Sequence, residues 1–255
     1  MVDRRTVAGA AIFTAFVFVA TAAFSAGIPA TQGYFNVGEI MVYTTALLMG
    51  PYVGAFAGGV GSMFSDVFLG FPLFAPGTLF IKATEGFVVG YLGNRTLNSI
   101  SNRRWRGITI ALALVVASII GYVGASYWSG DYQVTLGAPP YTPQFSWSFA
   151  IPAQYWNALA ILVFVGTLAA GLSVEKRIGW LSLAVLTGGA EMVTGYYLYE
   201  TLVLGQIGAS AEIPFNIAQA VIGLIVALPL VRSIRRIARN RDIVASGPQT
   251  QVGSQ

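Results

Sequence analysis

Charged side chains inside apolar stretches are the residues of this sequence best suited to chemistry. Lys82 and Glu85 stand three positions apart in an apolar segment that begins at Pro76. Residues three apart share a face of a helix, so the two side chains can pair. An ionisable group within a membrane is costly and by default marks a binding site or a transport pathway. A structural ion pair between helices is the alternative, and the sequence favours neither.

Polar side chains also flank or interrupt other apolar stretches. Glu39 opens the second stretch, Asp66 lies near the end of the third, and Glu191 lies inside the seventh. Asn216 and Gln219 stand three apart at the start of the eighth. Glu39 and Asp66 are close enough to the ends of their stretches for us to expect them in contact with solvent at the membrane surface.

The composition indicates the environment that holds these groups. Of the 255 residues, 55% are hydrophobic and 9% are charged, whereas a soluble domain carries about 25% charged residues. We therefore predict an integral membrane protein. The sequence has neither Cys nor His, which excludes disulfides and thiolate metal sites and removes the commonest general base. Since no phosphate-binding G-x-x-x-x-G-K-[ST] loop is present either, we predict no enzymatic activity, no metal site and no cofactor.

Eight apolar segments predict an all-α, polytopic membrane helical bundle, since about 20 apolar residues cross the hydrocarbon core. They are 6–27, 37–49, 51–69, 76–97, 108–128, 152–172, 178–204 and 213–237. The second is too short to span upright, and we interpret it as tilted or re-entrant. We assign residues 1–242 to a single transmembrane domain and 243–255 to a disordered cytoplasmic tail. The external loop 129–151, rich in Pro and aromatic residues, is interpreted as interfacial anchors rather than as a binding lid.

The basic residues predict the orientation of the segments. With the N-terminus inside, 13 of the 14 Lys and Arg fall in cytoplasmic segments, and the remaining one, Lys82, lies within a span. This asymmetry predicts an even number of crossings with both termini cytoplasmic. It also argues against nucleic-acid binding, because the positive charge sits at helix ends. The polar groups then share the outer half of the membrane, which favours an outward-opening pocket over a proton relay.

Small side chains recur in two of the segments. The first carries Ala8, Ala11, Ala15, Ala22 and Ala26, and the third carries Gly50, Gly54, Gly58 and Gly61. Such stripes allow another helix to approach closely. We expect packing within the chain for the third segment, whereas a partner subunit is the other possibility for the first.

Several motifs follow one another in a characteristic order. They are Y-F-N-V-G-E at 34–39, G-P-Y-V-G-A-F-A-G-G-V-G-S at 50–62, K-A-T-E-G at 82–86, G-Y-Y-L at 195–198 and I-P-F-N at 213–216. Together they resemble the substrate-binding S components of energy-coupling factor (ECF) vitamin transporters. The stretch A-I-F-T-A at 11–15 matches the A-x-x-x-A motif by which the first helix of these proteins docks on the transmembrane T component. The resemblance covers residues 6–97 and 180–232.

This resemblance implies a six-helix membrane protein that captures a vitamin from outside with high affinity. It implies as partners the ECF T component, docked through Ala11 and Ala15, and a pair of ATPase subunits whose ATP hydrolysis drives release inward. Residues 106–172 then form an inserted helical hairpin, which brings the total to about eight spans.

The resemblance predicts ten substrate-binding residues, because they stand in or beside the stretches that match the family. They are Tyr34, Asn36, Glu39, Asp66, Lys82, Glu85, Glu191, Tyr196, Asn216 and Gln219. Tyrosine rings, amides and a Lys/Glu pair suit a flat polar heterocycle. The resemblance favours the riboflavin or the thiamine-related pyrimidine class and does not separate the two. The competing prediction is a secondary transporter of a small polar solute driven by an ion gradient, which the buried carboxylates support.

Overall fold

The computed structural model describes residues 4–28, 33–95, 101–138, 142–173 and 176–246. The helices are α1 (Arg4–Ala23), α2 (Glu39–Met49), α3 (Pro51–Leu69), α4 (Ala75–Gly93), α5 (Asn102–Tyr127), α6 (Ala153–Ser173), α7 (Lys176–Leu198) and α8 (Ile213–Ser246). The strands are β1 (Ser25–Ile28), β2 (Gly33–Asn36), β3 (Gly130–Ala138) and β4 (Thr142–Ile151). A π-helical turn, Tyr199–Val203, extends α7, and a 3-10 turn, Ala209–Ala211, precedes α8.

The helices identify a polytopic membrane protein. Within the described ranges, five helical stretches are long and apolar enough to cross a membrane: Thr6–Ala23, Pro51–Leu69, Asn102–Tyr127, Arg177–Val203 and Ala209–Asn240. Shorter apolar stretches are Glu39–Met49 and Ala153–Ala169. The 19 residues of α4 include Lys82 and Glu85, and these charges make the helix less apolar than α2 and α3.

A four-stranded antiparallel sheet is the main departure from the predicted all-α fold. Its strand order is β2-β1-β3-β4, so the β3–β4 hairpin joins the β1–β2 hairpin through β1. The β1–β3 contact pairs Ala26 with Leu136 and Gly27 with Thr135. The sequence F-S-W-S-F at 145–149 alternates apolar and polar residues, which is a strand pattern. The segment 129–151, predicted to be an external loop that carries interfacial anchors, thus forms the strands β3 and β4.

Glycines allow α3 and α4 to pack backbone against backbone. A Cβ on Gly54 would lie 2.8 Å from the carbonyl oxygen of Gly86, and a Cβ on Gly86 would collide with the carbonyl group of Gly54. One turn further along α4, a Cβ on Gly90 would lie 2.6 Å from the backbone nitrogen of Pro51. The glycines of the third predicted segment thus serve packing within the chain, as expected.

The α5–α6 pair forms a hairpin that contacts α7 at one end. The indole of Trp156 fills the space above Gly124, where a Cβ would lie 2.5 Å from its ring, and its Nε1 donates a hydrogen bond of 2.9 Å to the carbonyl of Trp128. On α7, Gly179 leaves room for the ring of Trp105. Tryptophan–glycine contacts therefore hold the hairpin together and fix it to the bundle.

The two ends of the bundle differ in chemistry. At one end the Arg235 guanidinium donates a 2.5 Å hydrogen bond to the carbonyl of Leu47, in the last turn of α2. This is the favourable place for a cation near a helix C-terminus. The strands gather at the opposite end, where α2 and α8 begin. Helix α8 continues to Ser246, so it overruns the predicted boundary at 242, and residues 247–255 of the predicted tail lie outside the described residues.

Candidate functional site

A polar cavity lies at the strand-bearing end of the bundle. It is lined by Gly33, Tyr34, Asn36, Asp66, Phe74, Thr78, Lys82, Tyr196, Glu212, Asn216 and Gln219. The walls therefore come from β2, the end of α3, the start of α4, α7 and the start of α8. Its volume of about 20 Å³ holds about one water molecule, whereas sites for small organic ligands reach roughly 300–1,000 Å³. A vitamin-sized ligand can enter only if the walls move apart.

A buried ion cluster forms the floor of the cavity. The Lys82 ammonium pairs with the carboxylate of Glu39 and, at 3.0 Å, with Oε2 of Glu85. The Tyr43 hydroxyl donates to Oε1 of Glu85 at 2.8 Å. Both carboxylates are fully buried and Lys82 is 4% exposed. The expectation that Glu39 meets solvent was wrong, because α4 supplies its counter-ion inside the protein.

Asp66 is also buried, contrary to expectation, with 2% of its surface exposed. The Tyr34 hydroxyl donates to its Oδ1 at 2.6 Å, and the Tyr34 ring stacks on Phe71 with centroids 4.7 Å apart. Burial, reinforced by the neighbouring carboxylate, raises the pKa of the Tyr34 phenol well above its usual value. The phenol therefore remains a hydrogen-bond donor. The Thr78 hydroxyl also interacts with the Asp66 carboxylate, although buried Oδ2 makes no hydrogen bond of good geometry within the described residues.

A chain of amide hydrogen bonds ties β2 to α8. The backbone N–H of Asn36 donates to Oε1 of Gln219 at 3.1 Å, and Nε2 of Gln219 donates to Oδ1 of Asn216 at 2.7 Å. The Asn36 side chain accepts from the N–H of Gly38 at 2.8 Å, a local turn that leads the chain from β2 into α2. These bonds fix one wall of the cavity to another.

Tyr196 closes the side of the cavity formed by α7. Its hydroxyl donates to Oγ1 of Thr78 at 3.0 Å, and its ring centroid lies 5.5 Å from Nζ of Lys82. At this distance the ring attracts the ammonium group through a cation–π interaction.

The structure brings together seven of the ten predicted residues and places the other three nearby. Glu39 and Glu85 lie beneath Lys82 rather than on the cavity wall. Glu191 is half-buried and close enough to Lys82 for their charges to interact.

Four of the residues that line the cavity were not predicted from the sequence: Gly33, Phe74, Thr78 and Glu212. Thr78 precedes Lys82 by four positions and so shares its helix face, a signal that was available. Glu212 directly precedes the apolar segment of α8. It was not predicted because only charged residues within or at the start of an apolar segment were selected. The Glu212 carboxylate occupies the space that a side chain at Gly33 would fill.

Comparison with known proteins decides the family. A family model described as the S component of ECF-type riboflavin transporters matches residues 1–174. The chain belongs to this family. The match to the S-component family runs through α5 and α6, which the sequence analysis treated as an insertion, and ends before α7.

Two relatives of this S component have different descriptions. An "Uncharacterized protein in gap 3'region" from Pyrococcus woesei is 45% identical over 101 residues, which are 39% of this chain and 64% of that protein. The cephamycin export protein CmcT from Amycolatopsis lactamdurans is 28% identical over 220 residues, 80% of this chain and 42% of that protein. The chain spans less than two thirds of the length of either relative.

Proposed function

We propose that this S component captures a vitamin or vitamin precursor from outside the cell with high affinity. Its ligand belongs to the riboflavin or the thiamine-related pyrimidine class. Partner ECF T and ATPase subunits drive its uptake with ATP. The supporting observation is that residues from Tyr34 to Gln219, far apart in the sequence, meet around one buried polar cavity. A concave site with a few convergent polar groups is where small ligands bind.

Each chemical group around the cavity suits one part of a flat heterocycle. The rings of Tyr34 and Tyr196 offer faces for stacking, and the amides of Asn216 and Gln219 offer edge-on hydrogen bonds. Lys82 limits how deeply a ligand can enter, because its ion pairs with Glu39 and Glu85 fill the inner end of the cavity.

The topology that fits this function has a six-helix core with α5–α6 as an added hairpin in one transmembrane domain. Both termini are then cytoplasmic, and the strand-bearing end faces outside. Support comes from Arg235, which lies near Arg177 at the end opposite the cavity. Positive charge concentrated at one end is typical of the cytoplasmic side.

Extraction of bound small molecules tests the proposed function. We expect mass spectrometry and absorbance of the detergent-purified protein to recover a vitamin or precursor near one per chain. A Gln219→Ala variant, purified in parallel, should lose most of it, because the amide chain between β2 and α8 is broken.

An empty protein that also shows no thermal shift with a panel of vitamins would contradict capture. The competing function is ion-gradient-driven transport of a polar solute, which the similarity to an export protein favours. Uptake into vesicles with an imposed gradient would then test it.

Docking through α1 gives a second test. Ala11 and Ala15 are exposed on α1, so replacing both with Phe should abolish co-purification with the T component and leave ligand binding intact. The matched control is Ala111→Phe, at an exposed position of α5, which should affect neither. Loss of ligand binding with assembly preserved would refute the docking role.

A further inference from the structure

The cavity has more carboxylates than its single lysine can neutralise. Among the described residues that line the cavity, Lys82 is the only basic one, and both Glu39 and Glu85 already pair with it. Asp66 and Glu212 line the same cavity. The charge at the ligand-facing surface is therefore negative.

Asp66 has room to accept a further hydrogen bond from a ligand. Oδ1 accepts from Tyr34, and the Thr78 hydroxyl interacts with the carboxylate, but buried Oδ2 makes no hydrogen bond of good geometry within the described residues. A buried acceptor without a partner costs about 1–3 kcal/mol, and more when the group is charged. Since Asp66 lines the cavity, a donor on the ligand can satisfy this oxygen.

Glu212 extends the acceptor surface across the cavity. It is 5% exposed, precedes α8 and lies against Gly33 of β2. Behind it, fully buried Glu200 in the π-helical turn is close enough to hydrogen-bond with Glu212. A hydrogen bond between two carboxyl groups needs a proton on one of them, so this pair carries fewer than two full charges.

We propose that Asp66 and Glu212 determine specificity and select a ligand that presents hydrogen-bond donors, an amino-substituted heterocycle that is neutral or cationic. This substrate class rests on the proposed function, because it concerns the same cavity. A phosphorylated ligand is rejected, since its negative charge would meet two carboxylates at short range. Of the two ligand classes, the aminopyrimidine fits better: its exocyclic amine is a donor, whereas the polar edge of a flavin ring consists largely of acceptors.

A pair of matched ligands tests this selection on the full-length protein in detergent. Thiamine carries an exocyclic amine where oxythiamine carries a carbonyl, and the ring nitrogen beside this group changes from an acceptor in thiamine to an N–H in oxythiamine. By isothermal titration calorimetry we expect thiamine to bind at least about tenfold more tightly, the effect of one hydrogen bond to a charged group. Riboflavin and its 5′-phosphate, measured alongside, should show a weaker affinity for the phosphorylated form.

Asp66→Asn and Glu212→Gln should each reduce the preference for thiamine over oxythiamine to less than about threefold, because an amide can donate to the carbonyl. Asp131→Asn is the control, since Asp131 is an exposed carboxylate on β3, and it should keep the full preference. If either site variant fails to fold, the affinities of thiamine and oxythiamine for the unmodified protein still test the proposed selection.

The outcomes separate the substrate class from the proposed function. Equal affinity for thiamine and oxythiamine, or tighter binding of riboflavin than of thiamine, would overturn the donor-selecting cavity and leave vitamin capture standing. Absence of binding by all four compounds would overturn both.

Discussion

Replacing Lys82 with Met should lower the free energy of unfolding by about 3–5 kcal/mol, the usual cost of removing one partner of a buried ion pair. The substitution leaves the carboxylates of Glu39 and Glu85 fully buried without their cation. Thermal and denaturant unfolding in detergent measure the loss. A variant as stable as the parent would show that the three charges do not depend on one another.

A charge-free version of the cluster distinguishes stability from binding. The triple variant Glu39→Gln, Lys82→Met and Glu85→Gln buries no charge in the cluster, and we expect it to recover most of the lost stability. Its ligand affinity then decides between the two interpretations of the cluster. Restored folding with lost binding identifies part of the binding site, whereas restored folding with normal binding identifies a structural bridge between α2 and α4.

The variant Gly86→Ala should destabilise the protein by about 1–3 kcal/mol or more, the usual effect of overpacking. The added methyl group meets the backbone of Gly54, and backbone atoms cannot turn aside as a side chain can. The α3 and α4 helices must therefore separate. Unfolding in detergent measures the cost.

Gly107→Ala is the matched control for Gly86→Ala. Gly107 is also inside a helix, but apart from its own helix and chain neighbours no described atom lies within 4 Å of the place of its Cβ. Alanine is favoured over glycine in a helix interior by roughly 0.8–1.0 kcal/mol, so this variant should be neutral or more stable. If both variants behaved alike, close backbone packing would not explain the glycine pattern.

The helices were predictable where local signals and apolar length agreed. The bounds of α3 match the predicted segment 51–69 because Pro51 opens the helix and Gly70, at a φ of 89°, ends it. The end of α8 was missed because its Arg-rich part forms helix without being apolar. The sheet was missed because pairing between distant strands depends on where the fold places them.

The candidate site was predictable to the extent that its residues are unusual for their surroundings. Lys82 and Asn216 stand out as polar groups in apolar segments, whereas Phe74 resembles many other helix residues. The burial of Glu39 and Asp66 could not be read from the sequence, because their partners Lys82 and Tyr34 lie on other elements. Position along a segment predicts depth in a membrane, but not which neighbour covers a side chain.

The shared sheet has a consequence for how long a ligand stays bound. Strand β2 lines the cavity, and β1 lies between β2 and β3. The β1–β2 hairpin can therefore swing outward only if the hydrogen bond from Asn36 to Gln219 breaks and the β3–β4 hairpin either separates from β1 or moves with it. One barrier then slows entry and escape together, which lengthens residence time without changing the equilibrium affinity. The β3–β4 hairpin is therefore expected to slow the exchange of ligand between the cavity and the solvent.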